Sequence, residues 1–197
     1  MPMLTTRIAN RRLFAGFIGG IAVCLAAAGV HAQTQPQTQP QTHGHAPHAS
    51  IAVVDCTLID DNAAYNDADL TRIQNARAGM ISDELRGQLR TRQLFRVADT
   101  APAQGLIVRL QATQDMNACN GCERQVGREL GVERVGVCWV QKISNLILNI
   151  NLRIEDVGTG RTLFQRSVDI RGNTDQSWRR GVSSLVDLVA ADAAATQ

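Results

Sequence analysis

The side chains in this sequence best equipped for chemistry are its sulfurs. Cysteine occurs at 24, 56, 119, 122 and 138, and Cys119-Asn-Gly-Cys122 is a closely spaced pair. Such a pair closes a small disulfide, cycles between dithiol and disulfide, or holds a soft metal ion. The helix expected from Asn120 to Leu130 places it at a helix start, where the electropositive end lowers a thiol pKa. Thioredoxin-type enzymes set their motif directly after a strand and opposite a cis-proline. Pro102 is the only proline beyond residue 47, and nothing marks it as that residue. No histidine follows Cys122, so covalent haem attachment is not indicated. Met116 lies three residues before Cys119 and only approximates the Met-x-Cys-x-x-Cys of copper carriers. In an oxidising compartment a structural Cys119–Cys122 disulfide is the favoured reading, with redox cycling and metal holding as alternatives. Cys56 and Cys138 fall on expected strands and form a possible second pair. Closing that long loop is worth about 4–5 kcal/mol in the chain-entropy picture, against about 2 for the short one.

The rest of the inventory argues against catalysis. The four histidines are His31, His43, His45 and His48, all before the expected folded domain. The commonest general base and metal ligand is therefore missing from any pocket the domain forms. Lys142 is the sole lysine and Tyr65 the sole tyrosine. There is no Gly-x-Ser-x-Gly elbow, phosphate-cradling loop or dinucleotide fingerprint. Asp60–Asp61 and Glu155–Asp156 read as turn and strand-end chemistry. No cofactor is expected, and the chain is not expected to be an enzyme. His43, His45 and His48 are candidates for holding a borderline metal ion, against the simpler reading of a polar spacer that contains histidine.

Residues 1–32 have the three parts of an export signal: Arg7, Arg11 and Arg12, an uncharged stretch from Leu13 to Val30, and Val30-His31-Ala32 before a cut near Ala32. Gly16, Gly19, Gly20 and Gly29 dilute the apolar run, which disfavours a retained membrane anchor. Arg11-Arg12-Leu13-Phe14 partly resembles a twin-arginine signal, but general secretory signals also carry adjacent arginines, and that is the favoured route. Residues 33–50 repeat Gln-Thr-Gln-Pro and then turn histidine-rich, a composition for a solvated tether. The formal charge of +2 less the three leader arginines leaves −1. That gives no electrostatic case for nucleic acid, and no membrane span is expected in the mature chain. The expected location is periplasmic or secreted.

These groups must be positioned by residues 51–192, with 193–197 as a tail. Leu146, Leu148, Ile150, Leu152 and Ile154 alternate with polar residues, and Phe164, Val168 and Ile170 continue the period of two after a Gly-Thr-Gly turn. Val135–Val140 is apolar on both faces, as in a doubly covered central strand. Ile51–Cys56 and Leu94–Ala98 read as short strands, with an acidic loop from Cys56 to Asp67 between the first and a helix. That helix, capped by Asp69, runs from Leu70 to about Arg92 with a stripe of Ile73, Ala76, Met80, Ile81, Leu85 and Leu89. Thr100 and Pro102 open another helix to about Asp115, with a strand as the alternative because Leu106, Val108 and Leu110 also alternate, and Gly131 closes the next helix. The last helix, Asp175 to about Asp192, turns Val182, Leu185, Val186 and Val189 inward, with Asn173 or Asp175 as its cap. The order β-α-β-α-α-β-β-β-α predicts an α/β (α+β) fold: a single mixed sheet of about five strands with helices packed on it.

Three blocks carry a resemblance: Cys119-Asn-Gly-Cys122-Glu123; Val140-Gln-Lys-Ile-Ser-Asn-Leu-Ile-Leu-Asn149; and Asp169-Ile-Arg-Gly-Asn-Thr-Asp-Gln-Ser-Trp178-Arg-Arg-Gly181. In this order they resemble a family of secreted proteobacterial proteins of unknown function. That family is more loosely similar to the amino-terminal α/β domain of TolB and to the curli-secretion and penicillin-binding-protein-activator lipoproteins. The resemblance implies an envelope compartment, a TolB-like domain and an interaction role without catalysis. Unlike the lipoproteins, this chain has no lipidation cysteine. The polar residues of the last two blocks are the candidate surface: Lys142, Ser144 and Asn145 in one loop, and Arg171, Asn173, Asp175, Trp178 and Arg179 in the other. Lys142, Arg171 and Arg179 offer donors to an anionic or carbonyl group beside a stacking Trp178, if the loops converge. Trp178 packing the last helix onto the sheet is the structural alternative. The function expected is a non-catalytic periplasmic accessory or binding protein, engaging an unknown envelope protein or small ligand. The alternative is a thiol–disulfide or copper-handling protein using Cys119 and Cys122.

Overall fold

A computed structural model describes residues 48–195. The expected signal peptide, the cleavage site at Ala32, His43, His45 and most of the spacer lie outside the described residues. The strands are β1 (Ser50–Val53), β2 (Thr57–Asp60), β3 (Arg96–Val97), β4 (Arg134–Lys142), β5 (Ile147–Asp156) and β6 (Thr162–Arg171). The helices are α1 (Ala68–Thr91), α2 (Gln104–Gln111), α3 (Cys122–Glu129) and α4 (Asp175–Ala195). The sheet order is β3-β1-β4-β5-β6, with β2 also pairing β4. β1, β2 and β3 run parallel to their neighbours, whereas β4, β5 and β6 form an antiparallel meander. This is the mixed sheet expected, with six strands.

The added strand, β2, replaces the expected loop after Cys56. β1 and β2 are two pieces of one line along β4: Val53 pairs Gly136 and Thr57 pairs Trp139, so three residues, 54 to 56, face two. Such a bulge strands backbone groups, and α1 supplies partners. Ser82 Oγ accepts from Cys56 N at 2.8 Å, and the Arg86 guanidinium donates to the Val53 carbonyl at 3.2 Å and to Asp55 at 2.6 Å. The Cys56–Cys138 disulfide crosses the same point.

The two crossovers place helices on opposite faces. On one face α1 and α4 cover Ile51, Val53, Val140, Leu148, Ile150, Leu152, Ile154 and Ile170. On the other, α2 and α3 cover Ala52, Val54, Val135 and Val137. Each fully buried Leu or Ile contributes about 1.5–3 kcal/mol. β4 is thus apolar on both sides, and β5 on one. The inward residues of α4 are those expected: Val182, Leu185, Val186 and Val189 are buried.

Several local assignments change. In α1 the buried set is Gln74, Ala78, Ile81, Ser82, Leu85 and Leu89, while Ile73 is exposed. Gln74 and Ser82 take inward places because each has a buried polar partner, so an apolar count misplaces the stripe. Its cap is Asp67, whose carboxylate accepts from Leu70 N at 2.7 Å, not Asp69. α4 is capped by neither Asn173 nor Asp175. Ser177 N donates to Thr174 Oγ1 at 3.2 Å and Thr174 N to Ser177 Oγ at 3.0 Å, a reciprocal capping box.

Candidate functional site

The two loops named from the sequence converge at one end of the sheet. In the β4–β5 hairpin, Ser144 Oγ accepts from Leu146 N at 3.2 Å and Ile147 N at 3.1 Å, which fixes the turn. Gly172 N donates to the Leu146 carbonyl at 3.2 Å, and Asn173 Nδ2 donates to Asn145 Oδ1 at 3.3 Å. Gly172 has φ 84°, a left-handed conformation that glycine adopts without a Cβ clash. Arg77 of α1 reaches across to donate to Asp175 at 2.7 Å and to Asn173 at 3.1 Å. The Arg77 hydrogen bond holds the exposed Asp175 carboxyl below its ordinary range.

Much of the expected binding chemistry is turned inward. Trp178 is fully buried under α4, and its indole Nε1 donates to Asn173 Oδ1 at 2.9 Å. It packs the first turn of α4 onto the sheet. Lys142 Nζ donates to Asp60 Oδ2 at 2.7 Å, with both side chains only 3% exposed. In the orientation that satisfies its neighbours, the Gln74 amide accepts from Lys142 at 2.8 Å and donates to Asp60 at 3.2 Å. Burial pushes the Asp60 carboxyl up, but hydrogen bonds from Lys142, Asn66 and Asn62 outweigh it and hold the group below its ordinary value. Arg179 pairs with Glu84 at 2.9 Å. Arg171 and Asn145 remain exposed beside the hairpin.

What the sequence reading missed at this end is apolar. Leu146 is 72% exposed, Ile143 46% and Ile147 41%. By its spacing Leu146 belongs to the core stripe, but β5 begins at Ile147 and Leu146 lies in the turn. The adjacent Leu146-Ile147 pair breaks the period of two, and that was the available signal. Asn62 Nδ2 donates to the Ile143 carbonyl at 2.9 Å, which ties the loop bearing Tyr65, itself 88% exposed, to the same hairpin.

Both cysteine pairs are bonded: Cys56–Cys138 and Cys119–Cys122. Cys119 is half-buried and Cys122, the first residue of α3, is buried. Cys122 N donates to Cys119 Sγ at 3.3 Å. Beside the bond lies a polar cavity of about 290 Å³, lined in part by Cys119, Asn120, Glu123, Arg124, Arg153 and Glu155. Arg153 pairs with Glu155 at 2.7 Å, approaches Glu123 at 3.8 Å, and donates to the Asn117 carbonyl at 3.0 Å. Glu123 Oε2 is buried without a hydrogen-bond partner. Burial first, and then the Glu123 carboxyl, raise the Glu155 pKa, against the opposing charges of Arg153 and Arg124. Among the described residues no group of three or more His, Cys, Asp or Glu is placed to hold a metal ion. No helix among them is long and apolar enough to cross a membrane.

A disulfide-bonded α+β domain with helices on both faces of a mixed sheet is the class these features define. Residues 49–188 match the DUF3280 family, described as a protein of unknown function (DUF2380), and the chain belongs to that family. Among solved structures it is similar to the LpoB C-terminal domain from Salmonella enterica, at 14% identity over 66% of this chain and 88% of that one, with a TM-score of 0.46. It is also similar to lipoprotein GNA1162 from Neisseria meningitidis, at 15% identity over 72% of this chain and 96% of that one, TM-score 0.42. TolB from Acinetobacter baumannii matches at 12% identity over 74% of this chain and 29% of its own, TM-score 0.40. No curated protein matches the chain.

Proposed function

We propose that this protein is a non-catalytic accessory protein of the envelope that holds a partner protein at the β4–β5 hairpin end of its sheet. The observation that carries this reading is the exposure of Ile143, Leu146 and Ile147 on a hairpin held in place by its neighbours. Exposed apolar side chains rimmed by polar groups are the usual make-up of a protein interface. Ser144, Asn145, Arg171, Asn173, Asp175 and Arg179 form the polar surroundings, and Lys142 and Trp178 hold the surface from beneath. Residues 1–32 direct export, residues 33–50 serve as a tether, and residues 51–192 form the working domain in the periplasm or outside the cell.

Photo-crosslinking in the native host tests this reading. A crosslinker at Leu146 should give a discrete adduct that Ile143→Asp reduces at least tenfold. A crosslinker at Val108, 53% exposed on α2, should give none. Equal labelling at both positions would remove the proposed surface.

A second reading is thiol–disulfide exchange at Cys119–Cys122. It is favoured by one observation: Cys119 opens on a cavity and receives a backbone N–H at the start of α3, while its partner sulfur is buried.

A further inference from the structure

The cavity beside the Cys119–Cys122 bond contains the buried acidic groups that the hairpin surface does not use. Glu123 on α3 and Glu155 on β5 are both buried, and both line the cavity that Cys119 also lines. Glu123 Oε2 has no partner there. An uncompensated buried carboxylate oxygen is costly, and the cost falls when the two carboxyls hold one proton between them. The charged groups facing them are Arg124 from α3 and Arg153 from β5. Arg153 also donates to the Asn117 carbonyl, two residues before Cys119, so the segment leading into the disulfide and the carboxyl pair share one guanidinium. Gln114 Oε1 stands 2.9 Å from Cys119 Sγ and 3.2 Å from Cys122 Sγ. Neither sulfur carries a proton in the disulfide, but in the dithiol the same oxygen is placed to accept one.

We propose that the Cys119–Cys122 bond exchanges with partner dithiols and that the Glu123–Glu155 carboxyl pair carries the proton to Cys119 Sγ. The proposal rests on the second reading above. A partner thiolate attacks the half-buried Cys119 Sγ. The Cys119–Cys122 bond breaks, a mixed disulfide forms at Cys119, and the electron pair leaves on Cys122 Sγ, which takes up the proton released by the attacking thiol. The second partner thiol gives its proton to the carboxyl pair and attacks the partner sulfur of the mixed disulfide. Cys119 departs as thiolate, held by the Cys122 N–H, and receives the proton from the pair. The partner leaves as a disulfide, and its two electrons and two protons reside on Cys119 and Cys122. The unpartnered Glu123 oxygen thus serves as the landing place for a proton in transit.

The test is the rate at which dithiothreitol opens each disulfide of the purified protein across pH 5 to 9, read by alkylation and mass spectrometry. Cys56–Cys138, buried in the core, is the internal reference. Cys119–Cys122 should open at least a hundredfold faster. The mixed disulfide at Cys119, trapped by acid quench, should resolve at a rate that, corrected for the thiolate fraction of the reagent, shows an inflection that Glu123→Gln abolishes, with about a tenfold loss near pH 6. If the two bonds open at similar rates, both the second reading and this proposal fail. If Cys119–Cys122 opens fast but Glu123→Gln stays within twofold at every pH, the proton carrier fails and the exchange reading survives. Should Glu123→Gln not fold, the wild-type profile decides, because the absence of the inflection overturns the carrier.

Discussion

Lys142 Nζ sits 2.7 Å from Asp60 Oδ2, and each side chain is 3% exposed. The lysine offered by its sequence position as a ligand donor is therefore a buried support, joining β4 to β2 beneath α1. Removing one member of such a pair leaves the other charge buried and uncompensated. Lys142→Ala should cost about 3–5 kcal/mol, whereas the double change Asp60→Leu with Lys142→Met should recover most of the loss. Urea unfolding of the three proteins measures this. A loss under about 1 kcal/mol for Lys142→Ala would remove the supporting role.

Stability should fall on both sides of a mildly acid optimum. Asp60 has a folded pKa below its ordinary 3.8, so the unfolded chain binds more protons near that value. Its contribution is present above 3.8 and is lost as pH falls through the lower folded value. Glu155 has the opposite sign. Its folded pKa lies above 4.5, so its contribution is present below 4.5 and is lost as pH rises through the folded value. Unfolding midpoints from about pH 2.5 to 8 should show an acid limb that Asp60→Asn flattens. A shallower limb on the less acidic side should be removed by Glu155→Gln. If Glu155→Gln steepened that limb, the raised pKa would be refuted.

The two disulfides should contribute unequally. Cys56 and Cys138 are 82 residues apart and Cys119 and Cys122 only 3. Loop-closure entropy assigns about 4–5 kcal/mol to the first and about 2 to the second. Double alanine replacement of each pair, followed by denaturant midpoints, compares them directly. A larger loss from the short loop would show that the entropic account does not rank these bonds.

The antiparallel half of the sheet was legible because Leu148, Ile150, Leu152 and Ile154 alternate on one face, and β4 because it is apolar on both. β2 was not legible. It has four residues, Thr-Leu-Ile-Asp, with two adjacent apolar side chains and a buried carboxylate, so no polar–apolar alternation marks it. The α1 stripe was misplaced for a related reason. Gln74 and Ser82 look solvent-facing by type, yet point inward because Lys142, Asp60 and the Cys56 amide need them. At the candidate surface, the sequence located both loops but not the direction of their side chains. Lys142 pairs with Asp60, 82 positions away, and Trp178 joins a core shared with β1, β4, β5 and α1, and no local pattern reveals either. The Glu123–Glu155 pair was overlooked because its members lie 32 positions apart on α3 and β5.

The extra residue opposite Val137 and Cys138 also sets the parity of everything after it. Before it, Ile51 and Val53 face α1 and α4; after it, Cys56 and Leu58 do, and Asp60 follows them inward to meet Lys142. Deleting one residue between Val54 and Cys56 would leave two residues facing two, a regular ladder in which Asp60 keeps its inward place opposite Lys142. The cost of losing that residue should therefore fall on the Ser82 and Arg86 contacts to Cys56, Val53 and Asp55, and the Asp60–Lys142 pair should survive it.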